Sequence, residues 1–346
     1  MREHGGLSVL QSENVPAPDI ENPNDVRVLI KAAALNRLDL WTLQGLPGLT
    51  LRFPHVLGGD GAGLVEAVGS AVTAFKPGDR VLINPGLSCY QCDRCRAGEH
   101  SLCRSYRLLG EHVSGTLAEH VVVPDLNLAH IPNLPDDHQP LIWEEAAAFT
   151  LVTLTAWRMV VTKAALRPGE VILIWGIGGG VASAAMRIAT LAGGSTIVTS
   201  SSREKLQIAK ELGADVTLNH NEVDVAKEVR RLTNRRGADV VIDSVGEATW
   251  EHSLRALANA GRLVSCGGTS GPMVVTDVRR LFWHQYHIMG STMGTAEEFR
   301  EIVRVLSQGR LRPRVDSVFP MDRARDAFER LRSGNQMGKV VVRVNE

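Results

Sequence analysis

Along the first 130 or so residues, short apolar runs alternate with turn residues. DVRVLIKAAA (25–34), GAGLVEAVG (61–69), DRVLIN (79–84) and LAEHVVVP (117–124) have strand length, with punctuation such as Lys76-Pro77-Gly78-Asp79 between them. Near residue 153 the pattern changes. Apolar strands now alternate with helical periodicity: VILIWG, then a helix through Val181–Leu191; TIVTS, then Arg203–Leu212. DVTLN, ADVVIDSVG, RLVSCGG and HIMGSTM continue the series, which makes six strand candidates. VILIW and ADVVI are apolar without alternation, as strands buried on both faces must be. The pattern predicts an α/β protein with a doubly wound parallel sheet of about six strands and a β-rich N-terminal region. The last fifty residues hold a helix near Glu297–Leu306, the strand VDSVF, a helix around Arg323–Arg332 and a closing strand, VVVRV.

Between VILIW and its helix lies Gly176-Ile177-Gly178-Gly179-Gly180-Val181-Ala182. A turn that receives a pyrophosphate must let backbone N–H groups at a helix N-terminus approach the oxygens, which requires residues without side chains. Gly176, Gly178, Gly179, Gly180 and Val181 are therefore the candidate cradle for a dinucleotide. An NAD enzyme usually places an acid about 20 residues further on, for the ribose hydroxyls. Here TIVTS ends in Thr199-Ser200-Ser201-Ser202-Arg203, and the first acid is Glu204, inside the next helix. Hydroxyls and a guanidinium suit a 2′-phosphate, so Ser200, Ser201, Arg203 and Lys205 point to NADP(H). A plainer role for Ser201 or Ser202 is to cap that helix. Val245, Gly246, Cys266, Gly267 and Gly268 close later strands, where ligands of such sheets bind.

Composition narrows the class. Lys+Arg and Asp+Glu are each 38, so the formal net charge is zero, which argues against a nucleic-acid partner. No apolar run reaches the roughly 18–20 residues of a membrane span, and MREHGGLSVL lacks the apolar core of a secretory signal. A cytoplasmic enzyme acting on a small molecule is expected. Four of the five cysteines, Cys89, Cys92, Cys95 and Cys103, fall in a C-x2-C-x2-C-x7-C pattern that fits one tetrahedral, structural Zn²⁺. Iron–sulfur ligation is the rival, but there the fourth Cys follows after about three residues and precedes Pro. Cys266 stands alone in an apolar stretch.

Together LNRLDLW (35–41), PHVLGGDGAGLVEAVG (54–69), the cysteine lobe, LTAW (154–157), the glycine turn and GKVVV (338–342) resemble the medium-chain dehydrogenase/reductase superfamily over essentially the whole chain. The resemblance implies a GroES-like catalytic domain at 1–152 and 293–346, with a zinc lobe at 86–106, interrupted by a Rossmann NADP(H)-binding domain at 153–292. It implies an active site in the cleft between domains and a homodimer or homotetramer joined partly through the Rossmann sheet edge. Zinc-dependent alcohol dehydrogenases of this superfamily hold a catalytic ion through a Cys, a His-Glu pair and a further Cys or acid. The matching positions are Asn36, Gly59-Asp60 and Leu151. Asn, Gly and Leu do not make a three-ligand zinc site, so the chain resembles the quinone-oxidoreductase branch while keeping the structural lobe.

On this reading NADPH reduces a quinone, enone or related carbonyl without catalytic metal. Asn36 is the candidate donor to the developing oxyanion. Asp39 is expected to orient backbone or ribose, and Thr155 to contact the nicotinamide end or cap the following helix. Lys339 is expected near a cofactor phosphate or at a solvated strand start. Trp41, Phe282 and Trp283 read as core or as pocket lining. Two alternatives stay open: a zinc alcohol dehydrogenase with ligands relocated to His55, Asp39 and Asp60, and an NADPH-binding sensor without turnover.

Overall fold

The computed structural model describes residues 1–345, which divide into two compact units. Met1–Leu151 with Gly294–Glu346 form one, and Val152–Met293 the other.

The first unit is built on a seven-stranded sheet. Its order is Val315–Pro320, Lys339–Arg343, Asp25–Ala34, Asp60–Val68, Arg80–Ile83 and Leu128–His130, with His120–Pro124 also pairing with Asp25–Ala34. The C-terminal strand therefore lies against the first strand, antiparallel, with Ala34 opposite Val341. On its other side Ala34 faces Asp60. Two apolar clusters fill the unit, one around Val28, Ile30, Val81 and Val123, the other around Leu35, Leu43, Phe328 and Val340. The strand read as GAGLVEAVG starts one residue earlier, at Asp60, and the short strands Gly86–Leu87, Arg107–Leu108 and Leu128–His130 escaped the sequence pattern because they are two or three residues long.

The second unit is a six-stranded, wholly parallel sheet. Its order is Val216–Asn219, Ser195–Ser200, Val171–Ile174, Ala238–Asp243, Leu257–Ser265 and His287–Gly290. Ile172, Leu173, Ile174, Val240 and Val241 are fully buried, as their unbroken apolar runs require. The order reverses between Val171–Ile174 and Ala238–Asp243, the switch point where such sheets bind ligands. Helices Gly180–Leu191 and Arg203–Glu211 follow the first two strands. RLVSCGG is corrected to a strand from Leu257 that stops at Ser265, before Cys266. No helix among the described residues is long and apolar enough to cross a membrane.

Candidate active site and metal lobe

In the second unit, Gly176 has φ +69°, a left-handed backbone that few residues other than glycine adopt readily. The turn is tied to the neighbouring strand: Gly176 N–H donates to Thr199 Oγ1 at 3.2 Å and Ile177 N–H to the Thr199 carbonyl at 2.9 Å. Helix Gly180–Leu191 opens on Gly179 with no side-chain cap. Its first-turn N–H groups are thus left for an anion, which is the cradle a dinucleotide pyrophosphate needs. A Cβ on Gly176 would meet Val245 at 3.7 Å, so the turn and the end of the fourth strand lie side by side across the switch point.

Past Val245 the chain is fixed by a buried carboxylate that the sequence reading missed. Asp243 Oδ1 accepts from the N–H groups of Val245 (2.8 Å) and Gly246 (3.1 Å), and its Oδ2 from the hydroxyls of Thr249 (2.8 Å) and Ser253 (2.7 Å). The DSVG context carried the signal: an Asp at the end of an apolar strand must find donors, and the next helix supplies them. Burial, then the Asp243 charge, pushes the Cys266 thiol up to about 12, so it is a neutral side chain. The Gly267 carbonyl accepts from the Ser265 hydroxyl at 3.1 Å.

At the end of the second strand Ser202, not Ser201, caps the following helix, its hydroxyl accepting from Lys205 N–H at 3.3 Å. Ser200 Oγ accepts from Ser202 N–H at 3.1 Å. Arg203 reaches out from the helix start and pairs with Glu222 at 2.9 Å.

Thr155 lies within helix Thr150–Trp157, so it caps nothing; its hydroxyl donates to Met293 Sδ at 3.6 Å. Phe282 and Trp283 are corrected from core to surface, at 64% and 77% exposure.

The first unit gathers Asn36, Asp39, Asp60 and Lys339 into one buried cluster. The antiparallel register that sets Ala34 opposite Val341, carried two residues further, brings Asn36 to Lys339. Leu35 N–H to the Val340 carbonyl, 2.9 Å, holds the two segments together. Lys339 Nζ donates to Asn36 Oδ1 at 2.5 Å and to Asp60 Oδ2 at 2.9 Å. The Asn36 amide donates to Asp60 Oδ2 at 3.0 Å and to the Ala34 carbonyl at 3.3 Å. Asp60 Oδ1 accepts from Leu151 N–H at 2.7 Å. Lys339 is thus corrected from a solvated strand start: the residue is 3% exposed and its ammonium lies against a carboxylate of its own unit. Asp39 orients backbone. Its carboxylate accepts from Asn36 N–H at 2.7 Å and Gly58 N–H at 2.8 Å, fixing the loop against the start of helix Arg37–Gln44. Burial pushes Asp39 up to about 6, while those two N–H groups and the Lys339 charge pull it down.

The positions that match the family's catalytic zinc ligands also converge. A Cβ on Gly59 would lie 3.1 Å from Leu151 Cδ1. The donor set does not fit a zinc ion: a glycine and a leucine side chain offer no ligand atom, and the Asn36 amide is already engaged by Asp60 and the Lys339 ammonium. His55 is no substitute, because its Nε2 pairs with the Gly110 carbonyl at 3.1 Å and burial lowers its basicity. Among the described residues, the one group of His, Cys, Asp or Glu placed to share an ion is Cys89, Cys92, Cys95 and Cys103, whose sulfurs all lie within 4.8 Å.

That lobe fits zinc. A tetrahedral ion with sulfur at about 2.3 Å sets its sulfurs about 3.8 Å apart. The separations are 3.9 Å for Cys89–Cys95, 3.9 Å for Cys92–Cys103 and 3.5 Å for Cys89–Cys103. N–H groups of Gln91 and Cys92 aim at Cys89 Sγ and hold that thiol below its usual range. Cys95 is pushed up to about 12 by burial, so it yields its proton only to a cation. All four ligands are protein sulfurs, which makes the site structural.

Two family descriptions match: "Alcohol dehydrogenase GroES-like domain" over residues 22–133 and "Zinc-binding dehydrogenase" over residues 180–308. A zinc-type alcohol dehydrogenase-like protein of Schizosaccharomyces pombe is 33% identical, covering 99% of this chain and 97% of its own. A quinone oxidoreductase of Pseudomonas aeruginosa is 32% identical over 98% and 97%. A solved structure described as an NAD-dependent alcohol dehydrogenase is 46% identical, with a TM-score of 0.94 and coverage of 100% and 98%. The chain belongs to the medium-chain dehydrogenase/reductase superfamily, with a GroES-like unit, a Rossmann-type parallel sheet and a cysteine lobe for structural zinc. It is an oxidoreductase of that type.

Proposed function

We propose that the chain is an NADPH-dependent oxidoreductase that reduces a quinone, enone or related carbonyl without a catalytic metal. The observation that carries the cofactor choice is the end of the second strand. Ser200 closes it, Ser201 and Ser202 follow, Arg203 opens the helix, and no acid stands at the strand end. A 2′-phosphate there meets hydroxyls and a guanidinium, worth about 1.5–3 kcal/mol per charged hydrogen bond. Gly176, Gly178, Gly179, Gly180 and Val181 would hold the pyrophosphate, with Val245, Cys266 and Gly267 along the same ligand-binding edge. Bound there, the reduced nicotinamide supplies a hydride. Thr155 is proposed at its nicotinamide end.

A second reading, NAD(H) as cofactor, rests on Glu222. Its carboxylate pairs with Arg203 and also accepts from Asn219 at 2.8 Å, which brings negative charge to the same corner. The deciding experiment is titration of NADPH and NADH, with oxidation followed against naphthoquinone, cinnamaldehyde and butanal. NADPH should bind more tightly, and Arg203→Ala should weaken NADPH roughly 10-fold or more while leaving NADH unchanged. Tighter binding of NADH would establish the second reading instead.

We also propose a homodimer or homotetramer. Met273, Val275, Val278, Phe282 and Trp283 are each at least 64% exposed, in the segment that leads into the edge strand His287–Gly290. An apolar group of this size next to an open sheet edge suits a second copy of the chain.

A further inference from the structure

The second strand of the parallel sheet, Ser195–Ser200, ends where such folds read the adenosine ribose of a dinucleotide, and it carries no acid there. The third strand delivers one from the side. Val216–Asn219 runs parallel to the second strand, with Asn219 beside Ser200. The turn that follows is folded onto Asn219: Glu222 N–H donates to the Asn219 carbonyl at 3.0 Å, and Asn221 N–H to Asn219 Oδ1 at 3.0 Å. The Asn219 amide donates in turn to Glu222 Oε1 at 2.8 Å and to the Ser201 carbonyl at 3.4 Å. Glu222 is thereby held against the 200–203 segment, where its Oε1 also accepts from Arg203 Nε at 2.9 Å. The Arg203 and Glu222 side chains are 82% and 47% exposed, and an ion pair so open to water adds little to stability.

The pair leaves donors in reserve. Arg203 engages Glu222 through Nε alone, so among the described residues its Nη hydrogens meet no acceptor. Ser200 is buried and accepts from Ser202 N–H, and its own hydroxyl hydrogen has no acceptor among the described residues either. A phosphate on the ribose 2′ oxygen suits these donors. It would then share one guanidinium with the Glu222 carboxylate, a single cation serving two anions. An uncharged 2′-hydroxyl meets no such opposition.

We propose that Glu222 is the specificity-determining residue for the cofactor: a negative charge tied to Arg203 that opposes the 2′-phosphate and narrows the preference for NADPH over NADH. This rests on the reading that the second strand's end receives the adenosine ribose. It goes further by assigning the ratio of the two affinities to a residue of the third strand's turn. The effect is one of charge, so it is weakened by salt.

The test titrates wild type, Glu222→Gln and Glu222→Asp by calorimetry with adenosine 2′,5′-bisphosphate, 5′-AMP, NADPH and NADH, at low and at high salt. The first two probes differ only in the 2′-phosphate. Gln removes the charge and keeps an Oε1 for the Asn219 amide, so the turn is retained. At low salt Glu222→Gln should bind the bisphosphate and NADPH about 3–10-fold more tightly than wild type, with 5′-AMP and NADH as before. High salt should close the gap. Glu222→Asp keeps the charge and should stay near wild type. Unchanged bisphosphate affinity in Glu222→Gln would overturn the proposal; weaker affinity would do so too, since Glu222 would then be holding Arg203 ready for the phosphate. An equal gain for 5′-AMP would also overturn it, because the change would not concern the 2′-phosphate. Wild type alone tests the NADPH reading: tighter NADH binding there refutes that reading, while the shift on Glu222→Gln still decides this one.

Discussion

Asp39 carries a consequence that stability measurements can reach. Its carboxyl is raised from 3.8 to about 6 by burial. A folded value above the unfolded one means that the folded state holds the proton more tightly. Asp39 therefore favours folding below about pH 4, and that contribution is lost as pH climbs through about 6. The difference corresponds to about 3 kcal/mol. Urea unfolding at pH 4.5 and pH 7 should show wild type losing stability relative to Asp39→Asn as pH rises; parallel behaviour of the two would refute the assignment. At this scale the sequence marked Asn36 and Asp39 by their place in LNRLDLW and Asp60 by its place in GGDGAG. It offered no sign that Lys339 meets them, because a lysine opening an apolar strand looks the same whether solvated or buried.

Among elements, those that rest on local geometry were the most legible. The glycine turn followed from strand, turn and helix signals within about fifteen residues. Gly176→Ala has space for its methyl group, the nearest atom lying at 3.7 Å, so the penalty comes from the φ of +69°. Denaturation should register a loss of roughly 1–2 kcal/mol, and dinucleotide affinity should fall. The cysteine lobe was likewise readable from spacing alone. Stripping zinc with a chelator, or Cys103→Ser, should reduce the metal content from one ion per chain to none. It should also expose the 88–106 segment to protease while the far-ultraviolet dichroism of the sheets persists. A wild type purified with no zinc would contradict the lobe's role. Helix Val278–Trp283 was less legible. Its aromatic residues read as core and lie on the surface, because a short apolar run does not say whether its cover is the same chain or another.

For the whole molecule, that exposed group sets an assembly prediction. Trp283→Glu should shift the sedimentation coefficient toward that of a monomer, with the folded content of each unit retained; an unchanged assembly would remove this face from the interface. What the sequence determined by itself was whatever depends on neighbours along the chain: the parallel sheet from unbroken apolar runs, the strand-to-helix turn from its glycines, the cysteine lobe from four spaced thiols. What only the tertiary structure decided was the cluster at Lys339. Asn36 and Lys339 are separated by 303 positions and meet because the C-terminal strand returns, antiparallel, beside the first. Register across a sheet is fixed by the packing of both faces and by every connection at once, so no local pattern encodes which lysine will stand opposite which asparagine.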